Sequence, residues 1–216
     1  MNLKNVKIIS NPVVLLNLCV MRDEKTDSQG VRIAARKITR YLLYEASQNL
    51  PLVEKEVKTP VASFIAKTID PEINLIISPI LRAGLIFTDE AIDILPQACI
   101  RHIGMYRDEK TLKPIWYYNK VPMEAQNPEK FYIYITDPML ATGNSLLEAI
   151  KLYADKGIPI KNIKCICIIA APEGIENIRK HYPDIEIITA AVDEKLNEKG
   201  YIVPGMGDAG DRIFNT

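Results

Sequence analysis

Residues 131–145 read Phe-Tyr-Ile-Tyr-Ile-Thr-Asp-Pro-Met-Leu-Ala-Thr-Gly-Asn-Ser, and an apolar pattern of helical period continues from Ser145 to Asp155. Six aromatic and β-branched residues predict a buried strand, and the Pro- and Gly-bearing stretch behind them predicts a loop. The order is strand, loop, helix. In an α/β sheet, ligands collect beyond the carboxyl ends of the strands, where the next helix offers unpaired N–H groups and its positive dipole end. Thr142, Gly143, Asn144 and Ser145 are therefore placed to wrap a phosphate. The hydroxyls of Thr142 and Ser145 can donate to its oxygens, and Gly143 allows positive φ and close backbone approach. Asp137 would be repelled by that anion, so its carboxylate suits sugar hydroxyls or a metal-hydrated ligand. Taken alone, the same residues also read as a turn aspartate and a helix cap.

Outward from this segment, apolar runs at Leu75 to Ile80, Ile100 to Met105, Ile163 to Ala170 and Ile185 to Val192 predict further buried strands. Helical patterns cover roughly Leu85 to Leu95 and Gly174 to His181, and a long first helix is predicted from Val31 to Leu50 with a stripe through Ile33, Ala34, Ile38, Tyr41 and Leu42. Pro51 ends it. The alternation predicts an α/β fold: a largely parallel, twisted sheet flanked by helices. Two stretches break the rhythm. Residues 106–128 carry Trp116, Tyr117 and Tyr118 among charges and three prolines, which reads as a long loop or mobile hairpin insertion suited to a lid. From Gly200 onward four glycines crowd around Pro204, and regular structure is expected to stop.

The chain has 216 residues, of which 48% are hydrophobic and 25% charged, enough for one α/β domain and too few for two. Lys plus Arg and Asp plus Glu each total 27. With no net charge to attract nucleic acid or an anionic membrane, any phosphate must be held locally. Cys165 and Cys167 sit in an apolar run and read as buried reduced thiols rather than as a metal site. The N-terminal residues lack a signal-peptide core and no apolar segment approaches spanning length, so a cytoplasmic protein is expected. His102 and His181 have no partner constellation and are read as structural or exposed.

The segment Asp137 to Ser145 resembles the phosphoribosyl-diphosphate motif of type I phosphoribosyltransferases. In the form Asp-Pro-Met-Leu-Ala-Thr-Gly it is similar to the uracil phosphoribosyltransferase family. Supporting stretches are Pro79-Ile-Leu-Arg-Ala-Gly84, Gly104-Met-Tyr-Arg107, Ala170-Ala-Pro-Glu-Gly174 and the run from Gly200 to Asp211. The likeness extends from about Pro12 to Phe214. It departs at Asn144, where the usual pattern has a second glycine, and Pro138 replaces the second acid found in many type I relatives.

The resemblance implies an enzyme of pyrimidine salvage that makes UMP and diphosphate from uracil and phosphoribosyl diphosphate. It assigns the donor to Arg82, Arg107, Asp137, Pro138, Met139, Leu140, Ala141, Thr142, Gly143, Asn144, Ser145 and Asp208. It places uracil against Ile202, Gly207, Asp208 and Ala209, in a small base-binding region at 200–211, with Asp208 and Arg107 closest to the chemistry. Mg²⁺ is expected to ride mainly on the diphosphate, with no dedicated protein metal site. A homo-oligomer is implied, and a GTP effector is left open. The phosphate loop says nothing about the acceptor, so another base stays in view until the tail is considered, while zero net charge and the absence of a basic stripe count against a pyrimidine-sensing RNA-binding regulator on the same fold.

Overall fold

The computed structural model describes residues 4–107, 114–119, 121 and 126–216. Strand β1 (Val6–Ile8) leads into helices α1 (Pro12–Arg22) and α2 (Ser28–Ser47), followed by a hairpin of β2 (Leu52–Lys58) and β3 (Ser63–Ile69). Then come β4 (Asn74–Leu81), a 3₁₀ turn (Ala83–Phe87), α3 (Thr88–Ile94), β5 (Cys99–Ile100), β6 (Ile103–Arg107) and β7 (Pro114–Asn119). The second half holds β8 (Phe131–Thr136), β9 (Met139–Leu140), α4 (Asn144–Ala154), β10 (Ile163–Ala170), α5 (Pro172–His181) and β11 (Glu186–Val192). It closes with β12 (Lys195–Leu196), β13 (Ile202–Val203) and α6 (Ala209–Phe214).

The main sheet runs β1-β11-β10-β8-β4-β6-β7, with β5 beside β4 and β9 beside β10. Every pairing is parallel except β6 with β7. All eight residues of β10 are buried, because helices cover both faces. Ile166 and Ile168 pack with Leu18 of α1, Ile38 and Leu42 of α2 and Ile213 of α6, while Cys165 and Cys167 face Leu146 and Ile150 of α4 and Ile175 of α5. Each fully buried aliphatic side chain contributes about 1.5–3 kcal/mol, so these two layers fix the sheet on which the loops stand. Both thiols of the Cys-x-Cys pair are free and buried, and that burial pushes Cys167 up to about 12 and Cys165 higher still. Cys19 and Cys99 are exposed.

The predicted strands and helices are present, with several adjustments. Ile100 to Met105 is split into β5 and β6 around Arg101, whose N–H donates to Ile77 O at 2.9 Å. The long helix starts earlier than predicted, at Ser28, with Asp27 capping it by accepting from Gly30 N at 2.7 Å. Its buried stripe uses Val31 and Ala35, whereas Ile33 faces outward at 48% exposure. Helix α1 and the β2–β3 hairpin have no counterpart in the sequence reading. The described parts of 106–128 include the β6–β7 hairpin, and residues 108–113, 120 and 122–125 of that insertion lie outside the described residues.

Candidate functional site: a cleft between the phosphate loop and the C-terminal hood

β8 ends at Thr136, and Asp137 keeps the sheet register for one more residue by donating its N–H to Ile166 O at 3.1 Å. Pro138 then turns the chain along β10, its carbonyl accepting from Ile168 N at 2.9 Å and Ile169 N at 3.1 Å. After β9, the loop from Ala141 reaches Gly143, which takes left-handed geometry at φ +80° and opens α4. A side chain there would meet Gly174 O at 2.7 Å, so α5 packs directly under the loop. The loop thus arches over the amino end of an eleven-residue helix whose first residues, Asn144, Ser145 and Leu146, line the cleft.

Asn144 stands at the first position of α4, in helical backbone. Tolerance of left-handed geometry is needed at Gly143 instead. The Asn144 Oδ1 accepts from Asn177 Nδ2 of α5 at 2.8 Å, and the same amide donates to Thr142 O at 2.9 Å. The side chain that replaces the usual glycine is therefore drawn to α5. Asn177→Ala should release both bonds, lower stability by about 1 kcal/mol and raise the donor KM more than the kcat falls. Equal KM values for the two proteins would mean that the tether does not shape the loop.

Opposite the arch, β12 and β13 form a small antiparallel hood, tied down where Leu196 N donates to Glu173 Oε1 of α5 at 2.9 Å. The glycine-rich tail is thus ordered, contrary to the expected loss of regular structure. The tail holds β13 and α6, and Asp208 caps that helix, accepting from Asp211 N at 3.0 Å. Arg212 secures the turn before it, donating to Met206 O at 3.0 Å and to Asp23 O at 2.6 Å.

Between arch and hood lies a cleft of about 410 Å³. Asp137, Met139, Leu140, Ala141, Thr142, Gly143, Asn144 and Ser145 line one side, and Ile202, Gly207, Asp208 and Ala209 line the other. Ala83, Lys199 and Tyr201 are also among the lining residues. Lys199 was not singled out in the sequence because a lysine in a charged stretch has no signature of its own. Pro138 is buried beside the sheet and shapes the loop from behind. Arg82 is exposed at the end of β4, next to Ala83 at the rim. That turn is held against the arch by Gly84, where a Cβ would meet Thr136 O at 2.8 Å. The backbone of Arg107 ends β6, and its side chain lies outside the described residues. His102 is half-buried and His181 is exposed, and neither lines the cleft.

Asp137 is half-buried and lines the cleft. Burial pushes it up to about 7; the Met139 N–H at 3.3 Å offsets part of this, and the charge of Asp208 adds to it. The cleft thus brings together a helix amino end, two carboxyl groups that sense each other, and a wall of closely spaced peptide groups.

A phosphate arch at the carboxyl edge of a parallel sheet, roofed by a separate C-terminal hood, defines the type I phosphoribosyltransferase architecture. A solved adenine phosphoribosyl transferase from Trypanosoma brucei, in complex with AMP, pyrophosphate and ribose-5-phosphate, shares the fold at a TM-score of 0.55 and 12% identity over 87% of this chain and 84% of that one. The AQ2163 protein from Aquifex aeolicus superposes with a TM-score of 0.87 at 35% identity, covering 97% of both chains. The family model for uracil phosphoribosyltransferase matches residues 8–216. Proteins named uracil phosphoribosyltransferase from Dictyoglomus thermophilum and Clostridium beijerinckii are 47% and 45% identical, over 98% and 96% of this chain and 99% and 97% of their own length. The chain belongs to the uracil phosphoribosyltransferase family and is an enzyme of that class.

Proposed function

We propose that this enzyme transfers the 5-phosphoribosyl group of phosphoribosyl diphosphate to uracil, giving UMP and diphosphate. The observation that carries the reading is the single cleft that sets the Thr142–Ser145 arch against the Ile202–Ala209 wall. The 5-phosphate sits on the arch, held by the first-turn N–H groups of α4 and the hydroxyls of Thr142 and Ser145. Asp137 accepts from the ribose hydroxyls. The peptide groups of Ile202, Gly207 and Ala209 take the base. Arg82 at the rim and Arg107 at the end of β6 are kept for the diphosphate, which guanidinium forks match in bidentate fashion.

In the reaction uracil N1 bonds to ribose C1 as the C1–O bond to diphosphate breaks, and the N1 proton leaves through water toward the Asp208 carboxylate. Positive charge develops at C1, so the carboxylates lining the cleft and the exclusion of water both favour the transition state. The hard oxygen donors Asp137 and Asp208 suit Mg²⁺, and among the described residues no group of three or more His, Cys, Asp or Glu could hold an ion unaided. Mg²⁺, when bound, would ride mainly on the diphosphate and neutralise the leaving group.

The same reading includes a homo-oligomer in the cytoplasm. The β2–β3 arm exposes Leu52, Val61, Phe64 and Ile65, and a lone two-stranded ribbon needs a packing partner to be stable. Free cysteines suit a reducing compartment, and among the described residues no helix is long and apolar enough to cross a membrane.

Incubation with phosphoribosyl diphosphate, Mg²⁺ and each of uracil, cytosine, hypoxanthine and orotate, with diphosphate release measured, tests the function. Release is expected with uracil. Release with another base alone would overturn the assignment.

A further inference from the structure

Behind the hood, three groups that contribute nothing to the cleft wall meet in one place. Arg22 ends α1, Asp193 follows β11, and Gly205 lies between β13 and the base-facing turn. Arg22 Nη2 donates to Asp193 Oδ1 at 2.6 Å and Nη1 to Asp193 Oδ2 at 2.8 Å, while Nη1 also reaches Gly205 O at 2.8 Å. Gly205 N donates to Asp193 Oδ2 at 2.8 Å. Both peptide groups flanking Gly205 are therefore held by one ion pair. The Asp193 side chain is only 5% exposed and that of Arg22 26%. The backbone at Gly205 has φ +58°, and a Cβ there would run into the Ile202 carbonyl oxygen.

We infer that the Arg22–Asp193 pair is a positioning device that sets the backbone of the base-recognising turn Gly205–Ala209. The inference rests on the proposed base site. A buried ion pair roughly breaks even in stability against apolar residues of similar size, since desolvation offsets its attraction. What an apolar replacement lacks is a grip on the two peptide planes at Gly205, from which the direction of the Gly207 and Ala209 groups follows. Four hydrogen bonds to charged groups, all at 2.6–2.8 Å, fix that direction without touching the substrate. Arg212 of α6 ties the end of α1 to the same turn from the other side, donating to Met21 O, Asp23 O and Met206 O.

The test separates grip from stability. Asp193→Asn should raise the uracil KM about tenfold or more and narrow the preference for uracil over cytosine, while the donor KM changes by less than about twofold. The double variant Arg22→Met with Asp193→Leu should recover thermal stability without recovering the uracil KM. If both recover together, or if Asp193→Asn keeps the native uracil KM, the positioning role is overturned and the base site still stands. Should Asp193→Asn not fold, Arg22→Lys, which keeps the charge and loses the fork, is expected to give the same split. Hydrogen exchange of the Gly205 to Gly207 amides is read alongside and should quicken in Asp193→Asn. Native enzyme inert toward uracil would overturn the function instead, and unchanged exchange would then overturn the positioning role by itself.

Discussion

Asp137→Asn should make the ligand-free protein more stable at pH 8 and a poorer enzyme. The carboxyl is held near 7 by burial and by Asp208, against about 4 in an unfolded chain. Below about pH 4 both states are protonated, and the neutral carboxyl contributes its full share of stability. Between about 4 and 7 the unfolded chain ionises freely while the folded one resists, so stability falls as pH rises through that window. Above 7 the cost is constant, on the order of 2–4 kcal/mol. The amide cannot ionise and escapes it. The Tm advantage of the variant should be near zero at pH 4 and reach on the order of 5 °C at pH 8. Turnover moves the other way: losing a charged acceptor for the ribose hydroxyls costs about 1.5–3 kcal/mol, roughly ten- to a hundredfold in kcat/KM for the donor. A Tm difference independent of pH would show that Asp137 is not strained by ionisation. Unchanged donor kinetics would remove it from the ribose site.

That opposition explains why Asp137 could be singled out from sequence. A carboxylate set between an apolar strand and a phosphate loop is an expensive residue to keep unless it meets a ligand. The strands of the main sheet were legible for a related reason: Ile163 to Ala170 and Phe131 to Thr136 are apolar because helices bury both faces, and such runs stand out in any window. The β2–β3 arm was not. Its strand Leu-Val-Glu-Lys-Glu-Val-Lys is almost wholly exposed, so no buried face imposes an apolar period. Helix α1 escaped for the opposite reason: Val13, Leu15 and Leu16 are apolar yet exposed, which blurs its stripe. In the site, loop residues were found because glycine and hydroxyl spacing has a mechanism behind it. Asn177, Asp193 and Arg22 were not, since they act on backbone groups brought together only by the fold, Arg22 across 171 residues of chain from Asp193.

Base choice carries the other large effect, and two glycines of the hood should answer differently to the same added carbon. Uracil presents O2 and O4 as acceptors and N3–H as a donor, whereas cytosine has an amino group in place of O4 and an acceptor at N3. A peptide N–H aimed at O4 and a carbonyl aimed at N3–H mismatch cytosine twice. At about 1–3 kcal/mol for each unpaired buried group, native selectivity should reach on the order of a hundredfold or more. Gly207 lines the cleft at φ +80° but has open space, its nearest neighbour for a Cβ being Arg212 Cδ at 3.8 Å. Gly207→Ala therefore pays only the left-handed backbone cost, roughly 1–2 kcal/mol, and should retain measurable uracil activity. Gly207→Val adds β-branching to that strain and should weaken uracil use further while sparing the donor. Gly205 does not touch base or cleft, yet its missing side chain lets the turn pass over the Ile202 carbonyl. Gly205→Ala must push that carbonyl or the turn aside, disturbing Ile202 and Gly207 together, so it should be the more damaging change for uracil KM and for discrimination against cytosine. Donor binding, measured by calorimetry with phosphoribosyl diphosphate and Mg²⁺, should stay close to native in all three because the arch is built on other elements. Should Gly205→Ala use uracil as well as the native enzyme, or should Gly207→Ala prove the more damaging, the hood backbone is not what reads the base.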